Sequence, residues 1–249
     1  MKKLATALAI TVLSIASFAT HAAETANVVE ALTCSYNDGK GPADLDAAIE
    51  FWNAQIDKID NKALNGYGAG VLTPLRATLE GDFIWIGGAG NLNVTAASLS
   101  AYTNSKEGQA ATARFDGIAD CDSNLFFSGP VYVGTPPGED DGEAIVELYG
   151  CTLNDGKSLA DAEVAEKHLS EVVSATKSGI NVFRWTTFLA NTPYDLAYVA
   201  VHDNLEDFGS FNTTMQTSED GQANGALFAA AMDCESGLFA GQQVRAANR

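Results

Sequence analysis

Cys34-Ser-Tyr-Asn-Asp-Gly-Lys-Gly-Pro-Ala-Asp44 and Cys151-Thr-Leu-Asn-Asp-Gly-Lys-Ser-Leu-Ala-Asp161 agree at seven of eleven positions, where unrelated segments would share about one. The two segments lie 117 positions apart. Further on, Phe115 to Phe126 returns as Phe228 to Phe239 at an offset of 113, with Phe, Asp, Cys, Ser, Leu and Phe kept in order. At that offset Asp82-Phe-Ile-Trp-Ile86 falls on Asp195-Leu-Ala-Tyr-Val199, Asn91-Leu92 on Asn204-Leu205, and Gly108-Gln-Ala110 on Gly221-Gln-Ala223. Order and spacing survive apart from one four-residue gap, so the chain reads as a duplicated unit. Gly134-Thr-Pro-Pro-Gly-Glu-Asp-Asp-Gly-Glu143 reads as the linker, because turn formers and charge replace any apolar periodicity.

One unit gives strand, helix, strand, strand, helix, strand. Val28 to Cys34 and Ile145 to Cys151 are β-rich runs ended by Asn-Asp-Gly turns. A helix follows each, with Gly41 as N-cap and Pro42 at its first position in one copy, and Ser158 with Asp161 in the other. Leu45, Ala48, Ile49, Trp52 and Ile56 share one helical face, as do Ala162, Ala165, Leu169, Val172 and Val173. Strands are predicted around 71–75 and 83–86 and around 182–189 and 196–201. A Gly/Ala-rich helix then leads to Phe115 or Phe228, and last strands cover 125–133 and 238–244. This βαββαβ order is the ferredoxin-like pattern. In it the first and last strands are antiparallel neighbours, which sets Cys34 beside Cys121 and Cys151 beside Cys234. Those are the predicted disulfides, in preference to a metal site, since there is no Cys-x-x-Cys or Cys-x-His spacing.

The amino terminus bears on compartment. Lys2 and Lys3 precede an apolar stretch from Leu4 to Phe18 and small residues at Ala19, Ala22 and Ala23, which is the plan of a signal peptide over 1–22. Periplasmic or secreted localisation is expected, and four cysteines suit an oxidising compartment. The formal charge of −18 becomes −20 once Lys2 and Lys3 are removed. A surface so acidic repels nucleic acid and anionic lipid, so neither a nucleic-acid partner nor membrane insertion is expected.

The element order resembles the dimeric α/β-barrel superfamily, which includes the antibiotic-biosynthesis-monooxygenase-like and NIPSNAP-like domains. The Cys…Asn-Asp-Gly-Lys repeat is also similar to duplicated exported bacterial proteins. The resemblance covers nearly all of the chain after the leader. It implies an α+β fold in which two ferredoxin-like βαββαβ repeats, 23–133 and 144–249, flank a linker at 134–143 and pack as an intramolecular pseudo-dimeric α/β barrel. It carries no catalytic residue across.

Chemical motifs are sparse. There is no nucleophile elbow, phosphate-binding loop or His-Glu-x-x-His, and no cofactor or metal is called for. Past the leader only His168 and His202 remain, and neither recurs in the other copy. His168 reads as a solvated helix residue, and His202 as a strand-end surface residue whose functional alternative is a barrel-pocket acid/base or haem ligand. Lys40 and Lys157 read as offsetting nearby carboxylates. Aromatic strand positions suggest a pocket between the sheets, lined by Trp85, Trp185 and Tyr198 with His202, and with Asn91, Asn204 and Arg184 at its mouth. The residues shared by both copies are those of a scaffold. The favoured expectation is therefore a non-enzymatic exported protein that binds a small apolar molecule or serves a structural or interaction role. A cofactor-independent monooxygenase-like enzyme is the alternative.

Overall fold

The computed structural model describes residues 27–60, 62–77, 81–134, 143–176 and 179–247. The predicted leader and nearly all of the predicted linker lie outside the described residues. Strand β1 is Asn27–Tyr36, followed by helix α1 Pro42–Ile56, a short helix α2 Lys62–Asn65, strands β2 Gly68–Arg76 and β3 Phe83–Asn91, helices α3 Leu92–Thr103 and α4 Lys106–Asp116, and strand β4 Ala119–Val133. The second half repeats the order with β5 Glu143–Leu153, α5 Leu159–Thr176, β6 Asn181–Leu189, β7 Leu196–His202, α6 Leu205–Thr217, α7 Glu219–Ala231 and β8 Met232–Arg245. Starts of corresponding elements from β2 onward differ by 113, and α1 and α5 by 117. The four-residue gap therefore falls between the first helix and the second strand, where the first half inserts α2.

The eight strands close into an antiparallel barrel in the order β1-β3-β2-β8-β5-β7-β6-β4. Within each half the order is last, first, third, second, as in a ferredoxin-like unit. The barrel closes where β2 pairs β8 and β4 pairs β6. Closure leaves no free sheet edge to recruit another chain.

Strand side chains alternate between faces. One face points into the barrel, where Ala31, Leu72, Ile84, Phe126, Val146, Trp185, Val199 and Phe239 form a continuous apolar core. The other lies under helices. In the first half it meets Leu45, Ala48, Trp52 and Ile56 of α1, which are all buried, with Ile49 packed at the margin. In the second half Ala162, Ala165, Leu169, Val172 and Val173 of α5 are buried as their spacing predicts.

Both disulfides form as predicted, Cys34–Cys121 and Cys151–Cys234. Each joins residues directly opposite in the ladder. Strands β4 and β8 begin before the cysteines and not after them as predicted. Their polar starts, such as Asp120-Cys-Asp-Ser-Asn124, look like loop but are recruited by pairing with β1. The single helix predicted before each last strand is two helices. Ser105 and Ser218 break it, their Oγ atoms accepting from Gly108 and Gly221 N–H at 2.9 and 3.0 Å, as N-cap residues do. No helix among the described residues is long and apolar enough to cross a membrane.

Candidate functional site

In the first half, a cavity of about 580 Å³ lies between the outer face of the sheet and the helices. Trp52 and Ile56 reach it from α1, Leu64 from the inserted α2, Trp85 from β3, Tyr102 from α3 and Phe115 from α4. The rings form a connected cage. Trp52 meets Trp85 edge-on at 5.0 Å, Trp85 meets Phe115 at 5.4 Å, and Trp52 lies 6.0 Å from Tyr67. Arg245 stacks on Trp52 from outside, 5.9 Å from the ring centre, held by Asp57 at 2.9 Å.

Glu30, on β1, places a carboxylate in this cavity, whose lining also includes Asp116 and Asp120. Burial raises its carboxyl above the ordinary value, and hydrogen bonds from Ser123 and Tyr67, both 3.4 Å, offset part of that effect. The Tyr67 hydroxyl also accepts from the Trp85 indole N–H at 3.4 Å. Burial and the neighbouring Glu30 push the Tyr67 phenol strongly upward, so it keeps its proton. Gly87 makes room for it, since a Cβ there would collide with the Tyr67 hydroxyl.

The corresponding space in the second half is filled. By the 113 offset, Gly87, Ala89, Thr95 and Ser98 become Ala200, His202, Phe208 and Phe211, and Tyr67 becomes Ile180. His202 is 1% exposed and sits among Phe208 and Phe211, with ring centres 5.6 and 5.5 Å away. Glu147, the counterpart of Glu30, is locked by three partners: Tyr149 donates to it at 2.8 Å, Asn212 at 3.3 Å, and His202 Nε2 lies at 3.1 Å. The expectation of a surface His202 is thus corrected, because the strand continues through it under α6. His168 is likewise half-buried, with an Nδ1 that has no partner among the described residues.

The predicted pocket residues are distributed over several places. Trp85 lines the first-half cavity, while Trp185 points into the barrel. Tyr198 and Arg184 meet outside the second-half sheet on Glu166, at 2.7 and 3.1 Å. His202 is engaged with Glu147. Asn91 and Asn204 cap helices, accepting from Val94 N–H at 3.1 Å and from Glu206 and Asp207 N–H at 2.9 and 3.0 Å. Only Tyr198 and Arg184 are brought together. Lys40 and Lys157 each pair with an aspartate four residues on, at 3.1 Å. Sequence reading missed Glu30. The signal was there: a glutamate stands four residues before Cys34 and before Cys151, on the helix-facing side of a strand whose other residues are mostly apolar.

No family model matches the sequence, and no curated protein matches it significantly. Solved structures do resemble it. A candidate monooxygenase from Lactobacillus acidophilus superposes with a TM-score of 0.57 at 10% identity, covering 90% of this chain and 97% of that one. An anthrone oxidase-like protein gives 0.53 at 10% identity, over 90% and 95%. A haem-binding protein from Thermus thermophilus gives 0.52 at 11% identity, over 88% and 91%. These likenesses show a ferredoxin-like α+β barrel, consistent with the dimeric α/β type, and do not single out antibiotic-biosynthesis-monooxygenase-like or NIPSNAP-like domains. They also overturn the expectation of a non-enzymatic binder or scaffold. That expectation rested on finding no chemistry shared by the two halves, whereas chains of this fold carry oxidising enzymes and haem proteins.

Haem, which the Thermus thermophilus protein binds, does not fit the residues lining this cavity or the one at the barrel mouth. Neither this cavity nor the one at the barrel mouth is lined by histidine or methionine, and the cysteines there are disulfide-bonded. The Tyr67 hydroxyl holds its proton and both its hydrogen-bond partners are protein groups. A haem iron needs an axial side chain free to ligate it. Among the described residues no cluster of three His, Cys, Asp or Glu side chains stands ready to hold a metal ion.

Proposed function

We propose that the chain is a small-molecule enzyme of the oxygenase kind, acting on a flat, mostly apolar aromatic substrate in the first-half cavity with Glu30 as general base. The observation that carries this is a carboxylate of raised proton affinity set in a cage of Trp52, Tyr67, Trp85, Tyr102 and Phe115. A volume of about 580 Å³ suits a ligand of drug size. A base whose pKa is shifted towards neutrality is better matched to proton abstraction than a solvated carboxylate. Ionised Glu30 takes a proton from an acidic CH₂ or phenolic position. The resulting anion reacts with dioxygen, the CH₂ carbon becomes a carbonyl, and the second oxygen atom leaves as water. Tyr67, fixed by Trp85 and Gly87, orients Glu30, and the aromatic walls exclude water from the anion.

On the same reading the two halves are duplicated units forming an intramolecular pseudo-dimer, in which only the first keeps a working cavity. The leader sequence and the two disulfides support export to the periplasm or beyond. Oxygen uptake with anthrone and a panel of hydroxyanthrones as probes tests the function. Wild-type protein should consume one dioxygen per quinone formed, and Glu30→Gln should lose the activity. The reading fails if wild-type protein gives no uptake above buffer on any of these probes, or if Glu30→Gln matches wild type.

A further inference from the structure

The barrel holds a second cavity that this reading does not use. Its interior is plugged by Leu72, Phe126, Val146, Trp185, Val199 and Phe239, but at the end that carries both disulfides it opens into a space of about 480 Å³. Phe126 and Trp185 stack at 5.6 Å in its floor, beside Phe239. Asp122 and Glu235 stand at its rim, 113 positions apart and each directly after a disulfide cysteine. No lysine, arginine or histidine lines it. Neither carboxylate has an ion-pair partner among the described residues.

The mouth is held in shape. Asn124 Oδ1 accepts from the Asn191 N–H at 2.8 Å, and the Tyr194 hydroxyl donates to Glu235 at 2.9 Å, so the loop after β6 is tied at both ends. Tyr194 lies against Gly150, where any Cβ would meet its ring.

We propose that the barrel mouth binds a small organic cation, an amine whose apolar body rests on Phe126, Trp185 and Phe239 while its cationic end lies at Asp122 or Glu235, which stand on opposite strands of the rim. An aromatic floor attracts a cation as well as an apolar body. Two carboxylates without a basic partner select against anions and favour a cation over a neutral ligand of the same shape. The volume falls within the usual range for small-molecule sites. This site lies on the opposite face of the sheets from Glu30, and its fate is independent of the proposed oxygenase.

Phenethylamine is the probe, with 2-phenylethanol and phenylacetate as neutral and anionic counterparts, titrated calorimetrically into the oxidised mature chain. The amine should bind once per chain and at least about tenfold more tightly than the alcohol, with no heat from phenylacetate. The exposed pair Asp122→Asn with Glu235→Gln should bring the amine to the alcohol's affinity while the melting temperature holds. In methyl spectra the amine should shift Ile84, Ile86 and Leu148 and leave Leu64 and Ile56 unmoved. The proposal is overturned if the amine does not bind, or binds no better than the alcohol. It is equally overturned if binding survives the double variant or moves the Leu64 and Ile56 methyls, which would place the amine in the helix-side cavity.

Discussion

Trp85 and Tyr198 occupy corresponding strand positions, and each meets edge-on a phenylalanine of the helix before the last strand of its half, Phe115 of α4 at 5.4 Å and Phe228 of α7 at 5.5 Å. Around that shared contact the halves diverge. The first surrounds Trp85 with Gly87, Ala89 and Ser98 and adds α2, which brings in Leu64 and leads the chain to Tyr67. The second surrounds Tyr198 with Ala200, His202 and Phe211 and extends its first helix to Thr176. One half spends its side-chain volume on closing the space between sheet and helices, and the other leaves it open around a carboxylate. A duplicated unit can keep its backbone while its two copies take different roles, because strand pairing and helix docking tolerate changes of side-chain size that a cavity does not.

The largest effect tests what the halves share. Replacing Cys34 and Cys121 by serine, or Cys151 and Cys234, opens loops of 87 and 83 residues. Each pair should cost about 4–5 kcal/mol in the chain-entropy view. Denaturant titration should find the two losses alike, and a much larger loss in one half would show that the disulfides do unequal work.

Next comes the contrast between the two glutamates. Glu30→Gln should lower oxygen uptake by about a hundredfold or more, while Glu147→Ala leaves uptake within about threefold and removes about 1–3 kcal/mol of stability by orphaning His202, Tyr149 and Asn212. Equal effects of both on uptake would erase the asymmetry. Ser98→Phe imports the second half's solution into the first. It should abolish uptake and change stability by less than about 1.5 kcal/mol, since the ring enters existing space; retained uptake would move the site elsewhere.

The pH dependence sharpens the same contrast. Glu30 has a folded-state pKa raised above its unfolded value, so the native state binds its proton more tightly. Its contribution to stability is fully present below the unfolded value of about 4.5 and is lost as pH rises through the raised folded value. Wild type should therefore lose stability relative to Glu30→Gln as pH rises, while uptake, which needs the ionised base, should increase. Parallel trends would remove Glu30 from the base role. The smallest effect concerns Lys40→Ala and Lys157→Ala, each breaking an exposed pair with the aspartate four residues on. Either should leave the melting temperature nearly unchanged, and a loss of uptake with either would revive a site at the Asn-Asp-Gly-Lys turns.

Local rules make part of this protein legible. The turn residues Asn37 to Gly39 and Asn154 to Gly156, the helix starts at Pro42 and Leu159, and the buried faces of α1 and α5 follow from spacing and capping alone, and the repeat locates them twice. Strand adjacency in the βαββαβ order then pairs the cysteines correctly. The polar starts of β4 and β8 were not legible, because partner strands and not propensity recruit them. The candidate site was legible only as a pattern that went unread, a glutamate four residues before Cys34. Which face each aromatic takes follows from alternation once strand boundaries are known, and that puts Trp85 and Trp185 on opposite sides of the barrel wall. Open against filled could be decided only by the tertiary structure. A cavity is the difference between the volume a backbone encloses and the volume many distant side chains occupy, and no local rule sums Gly87, Ser98, Leu64 and Tyr67 into one space.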